Sequence, residues 1–168
     1  MSWIIFITSL LEIILLLYVA TIDVATRVIP NEICLAVALL GVVGQLANPM
    51  QAAQSLIVAA ILFLLLLALY IKRWIGGGDV KLMAAVAVGL PLTGVIQFLT
   101  ITALAGGALA LMHLAMRLLP NPAVAPSGSS LLRRVYAVER WRHLRHAPLP
   151  YGVAIVCGGI WAVLNRGF

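Results

Sequence analysis

The opening residues 1–20, MSWIIFITSLLEIILLLYVA, hold one acidic residue, Glu12, and no basic one. A cleavable secretory signal needs a basic start and a short apolar core, whereas this stretch is apolar over the full length of a membrane-spanning helix. It reads as a retained first span. The rest of the 168-residue chain repeats the pattern: 64% of residues are hydrophobic, 10% are charged and the mean hydropathy is +1.13. Too few polar side chains remain to cover a water-soluble globule. The composition therefore predicts an all-α integral membrane protein made of one polytopic domain over residues 1–168.

Apolar runs predict helices near 3–22, 31–47, 52–73, 79–90, 93–119 and 149–165, about six spans in all. The fourth is the shortest, and GLPLTG (residues 89–94) reads either as a tight turn or as a break within one long segment. No internal repeat is visible. Cys34 and Cys157 lie in separate apolar runs and belong to no zinc-type spacing, so each reads as a small buried residue. No metal and no cofactor is expected.

Charge orients this arrangement. Arg27, Lys72, Arg73, Lys81, Arg117, Arg133, Arg134, Arg140, Arg142 and Arg145 fall on one side of the predicted spans, and of the 11 Lys and Arg only Arg166 falls on the other. Basic residues favour the cytoplasmic side, which puts both termini on the extracytoplasmic side. The +6 net charge is then a topology signal, and no nucleic-acid partner is implied. Residues 120–147 form a basic cytoplasmic connection before the last span. Its second half, LLRRVYAVERWRHLRH, predicts an interfacial helix held by anionic membrane lipids, with His143 and His146 solvated.

Among so few acids, each carries information. Glu32 follows Pro30 in the first turn of the second span, where a helix N-terminus favours negative charge. Glu12 lies near mid-membrane on nearly the same face as Asp23 but about 16 Å away along the axis. It reads as a protonated acid bonded to a neighbouring helix, with His113 as one possible partner. Asp23 and Asp79 differ from both, because the topology brings TIDVATRVIPNEI (residues 21–33) and GGGDVKLM (residues 76–83) to one membrane face. Two facing carboxyl groups share a proton, leaving one as a base toward water and the other as an acid toward a carbonyl or leaving amine. Gly76, Gly77 and Gly78 remove bulk beside Asp79 and permit unusual backbone angles. A phosphate-binding loop would need a different glycine spacing after a strand.

In combination these segments resemble the type IV prepilin peptidases. GGGDVK is similar to their G-x-G-D-x-K motif, DVATRVIPN to their first-aspartate segment, and PLPYGVAI to the P-[YF]-G motif that opens their last helix. The resemblance implies that Asp23 and Asp79 are the catalytic pair of an aspartic-type endopeptidase, with Gly76 and Gly78 as motif glycines. It further implies that Pro150, Tyr151 and Gly152 support the site. The substrate implied is a prepilin or pseudopilin, cut at the cytoplasmic face to release a short basic leader. Larger family members carry an extra cytoplasmic region with cysteine pairs and also methylate the new N-terminus; this chain resembles the short, peptidase-only branch associated with Flp/Tad pili.

Several neighbours are left open. Lys81 either holds the head-group boundary or contacts substrate; Arg27 either pairs with Asp23 or only sets topology; Asn31, after Pro30, caps or braces the second span. Two other classes compete with the peptidase. A small proton-coupled transporter would put its carboxylates near mid-membrane, often at a repeat interface, and a noncatalytic assembly scaffold would need no paired aspartates.

Overall fold

The computed structural model describes residues 2–46, 48–118 and 151–166, and all of their regular structure is helical. The order is α1 (Ser2–Thr26), α2 (Asn31–Gly44), α3 (Pro49–Ile71), α4 (Gly77–Ala87), α5 (Leu92–Leu118) and α6 (Tyr151–Leu164). Three of them, α1 over Trp3–Thr26, α3, and α5 over Leu92–Ala115, are long and apolar enough to cross a membrane. Apolar side chains such as Ile14, Leu17, Leu64 and Leu65 are exposed along α1 and α3, as side chains facing lipid would be. Of the six spans expected, three helices have the length and composition to cross. The helices α2 and α6 are apolar but shorter, and α4, with 11 residues, rises only about 16 Å and is too short to cross.

Chain contacts divide the molecule into two compact units, Met1–Gly106 with Pro150–Phe168, and Gly107–Leu149. In the first, α1 packs on α2 and α6, and α4 lies against α2, α3 and α6. Its core includes Leu16 and Val19 of α1, Val37 of α2, Leu82 and Val86 of α4, Phe98 of α5 and Ile155 of α6. Of the second unit, the described residues are the last turns of α5, where Nδ1 of His113 lies 2.9 Å from the Leu109 carbonyl. The interfacial helix expected within 120–147, with His143 and His146, lies outside the described residues, as does Pro150.

Two boundaries differ from the sequence expectation in ways that matter for the site. The first helix continues four residues past the expected end, to Thr26, and the hydroxyls of Thr21 and Thr26 donate to the carbonyls of Tyr18 and Ile22. Such back-bonding satisfies the hydroxyls on the helix's own carbonyls. The GLPLTG stretch is a break between two helices, with Gly89 and Leu90 buried and Pro91 just before α5.

Helix α3 ends in a Schellman motif. Arg73 N–H bonds Tyr70 O at 2.8 Å and Trp74 N–H bonds Leu69 O at 3.1 Å, with Arg73 at φ 61. Arg27 ends α1 in the same left-handed region, at φ 59, its N–H 3.0 Å from the Asp23 carbonyl. Both positions usually fall to glycine.

Candidate active site

Asp23 occupies the last turns of α1 and is 5% exposed. It faces the start of α6, where the backbone N–H groups of Gly152 and Val153 donate to its carboxylate. These two donors belong to the first turn of a helix and have no partner within it, so Asp23 caps α6 from another part of the chain. Arg27, one turn further on, adds an attractive charge. Oδ2 of Asp23 is buried and has no hydrogen-bond partner among the described residues.

Asp79 is the third residue of α4, whose N-cap is Gly76. Its carboxylate accepts the backbone N–H of Gly76, the carboxylate half of a capping box. Burial first, and the negative charge of Asp23 second, push the Asp79 carboxyl up to about 6, while the Gly76 bond acts in the opposite sense. The two aspartates are thus close enough for one charge to act on the other, and each sits at the positive end of a helix. The charge of Asp79 also reaches Tyr151.

The glycines act here through missing bulk. GGGD is the N-cap and first turn of α4 and not a free turn, and none of the three glycines takes a left-handed φ. A Cβ on Gly76 would stand 3.1 Å from Oδ2 of Asp79, one on Gly77 would stand 3.1 Å from the ring of Tyr70, and one on Gly78 would stand 3.3 Å from Cβ of Ile29. Gly78 thereby lets the connection between α1 and α2 close over the first turn of α4. On the other side of the site, a Cβ on Gly106 would meet the ring of Tyr151 at 2.6 Å, so α5 gives way to that ring. The sequence singled out neither Ile29, Tyr70 nor Gly106, since an isolated apolar or small residue in a hydrophobic chain carries no signal.

The other expected residues separate. Pro30 is the N-cap of α2 and Asn31 its first residue, with no side-chain cap bond. Asn31 instead accepts the ammonium of Lys81 at 2.9 Å, a brace between α2 and α4. Both border a groove of about 620 Å³ with Cys34, Ala38, Ala59 and Phe63. Cys34 is buried as expected, whereas Cys157 is exposed on α6. Glu12 is hydrogen-bonded through both oxygens to Arg166, and that arginine stands where His113 was the possible partner.

Residues 10–111 match the type IV leader peptidase family, and the chain belongs to it. The match contains both aspartates and all three glycines of GGGD; Tyr151 and Gly152 lie beyond it. No curated protein and no solved structure matches the chain. Membership makes the protein a membrane peptidase with a leader-peptidase type of function.

Proposed function

We propose that the protein is an aspartic-type endopeptidase of the bacterial cytoplasmic membrane that removes the leader of prepilins or pseudopilins, of the Flp type, at the cytoplasmic face. The observation that carries this reading is the electrostatic coupling of Asp79 to Asp23, each placed at a helix N-terminus. In this reading the proton of the pair is assigned to Asp79, whose carboxyl is pushed up by burial and by the charge of Asp23. Asp23 takes a proton from water as the water oxygen attacks the scissile carbonyl, and Asp79 donates its own proton to the carbonyl oxygen. Collapse of the tetrahedral intermediate breaks the C–N bond as the proton held by Asp23 passes to the leaving amine and Asp79 takes one back from a hydroxyl of the diol, which leaves a carboxyl product and restores the pair. No cofactor enters, the new N-terminus is not methylated, and both termini of the enzyme lie outside. Tyr151 and Gly152 shape the wall of the site, and Lys81 with Asn31 holds α4 in place.

The experiment is cleavage of a candidate prepilin in reconstituted membranes by the parent, Asp23→Asn, Asp79→Asn and the double variant at matched abundance. Each single change should abolish cleavage and the double should cost little more, because residues acting as one unit are not additive. Chelators should leave the parent active. Near-parental cleavage by either single variant would sink the mechanism.

A further inference from the structure

Glu12 has no role in the chemistry above, yet it is fully buried, and one guanidinium takes both of its oxygens. Arg166, just past α6, places Nη1 2.9 Å from Oε2 and Nη2 3.1 Å from Oε1. The arginine side chain is itself only 10% exposed. Room for it is made by glycine: a Cβ on Gly89 would fall on the guanidinium, and one on Gly41 would stand 2.9 Å from Gly89. Gly44 borders the same slot, its Cβ direction ending 3.8 Å from Nη1.

A buried ion pair is a poor device for stability alone, since the desolvation of both charges offsets much of their attraction, and an apolar pair of similar volume is often as stable. A two-pronged arginine–carboxylate contact does, however, accept only one alignment. The helices it joins are α1 and α6, which also meet at Asp23 and the Gly152–Val153 backbone. Along α1, Glu12 lies about 16 Å from Asp23; along α6, Arg166 lies about 21 Å from Gly152, and the length of the arginine side chain closes the difference. Two helices fixed at two levels cannot slide past each other.

We propose that Glu12 and Arg166 are positioning residues that set the axial register of α6 against α1 and so hold Asp23 against the start of α6. The proposal rests on the reading of Asp23 as a catalytic residue. Sliding α6 by even 1 Å would move the donors of Gly152 and Val153 off the carboxylate, and misplacement on that scale can cost a rate factor of about 100.

The test separates register from stability. In Glu12→Leu/Arg166→Met both charges are replaced by apolar side chains, so thermal stability should equal or exceed that of the parent. Its kcat should nevertheless fall by about tenfold or more, with KM within about twofold. Spin labels on Tyr18→Cys and native Cys157, with Cys34→Ala, report register directly, and their narrow distance distribution should broaden in the double variant. Should the double variant fail to fold, Arg166→Lys keeps the charge but loses the second prong; it should show the same broadening and an intermediate kcat. Parental kcat in a stable variant, or an unchanged distance, overturns the proposal. A parent that cleaves no prepilin would remove the peptidase reading, while the distance would still decide the register.

Discussion

Gly152 allows the start of α6 to close on Asp23: a Cβ at position 152 would stand 2.7 Å from both Cγ and Oδ2 of that aspartate. Real side chains do not approach so closely, so Gly152→Ala must turn the carboxylate or lift the helix. Cleavage of a prepilin should fall by about tenfold or more at matched membrane abundance. Gly107→Ala is the control, since nothing lies within 4 Å of its Cβ direction. Parental activity in Gly152→Ala would mean that the Asp23 contact with α6 does not shape the site.

The raised Asp79 carboxyl has a thermodynamic consequence independent of any substrate. Its value in the folded protein, about 6, lies above the ordinary 3.8, so the folded state binds the proton more tightly than the unfolded one. The stability contributed is complete below the ordinary value and is lost as pH rises through about 6. Asparagine cannot ionise. The melting temperature of Asp79→Asn relative to the parent should therefore increase between about pH 4 and pH 7, and a pH-independent difference would refute the assignment.

How much of this the sequence disclosed varies from residue to residue. Asp23 and Asp79 stood out because carboxylates are scarce in an apolar chain, and the order of spans already brought them to one face. Their helical setting did not show. TIDVATR reads as a polar connection although the helix runs on to Thr26, and three glycines read as a turn although they are the N-cap and first two residues of α4, with Asp79 bonded back to the N-cap. The partner of Glu12 had no local signal at all, since it stands 154 residues away.

Arg73 and Arg27 hold the left-handed conformation that glycine takes without strain. Arg73 lies in an exposed Schellman motif, so Arg73→Gly should leave the fold intact and change stability by no more than about 1 kcal/mol, in the stabilising direction. Thermal unfolding of the reconstituted proteins checks the sign. A clear loss of stability would show that the arginine side chain contributes more than its backbone strain costs.

Methylation distinguishes the proposed peptidase-only function from a bifunctional one. Mature substrate produced in the presence of S-adenosylmethionine should carry an unmodified N-terminal amine by mass spectrometry. An enzyme-dependent methyl group would overturn that part of the proposed function.

The helices around the two aspartates differ in reach. With 25 and 23 residues, α1 and α3 extend about 37 and 34 Å, whereas α2 and α6, with 14 each, extend about 21 Å and α4 less. A hydrocarbon layer about 30 Å thick matches the first pair and overshoots the second. Lipid in contact with the short helices must compress, or head groups and water must follow them inward, at a modest cost for each ångström of mismatch. On these lengths, a bilayer around the protein is expected to be shallowest beside the short helices that carry Asp79 and Gly152. A peptide bond at the margin of an incoming apolar segment would meet water there before its apolar part had left the lipid.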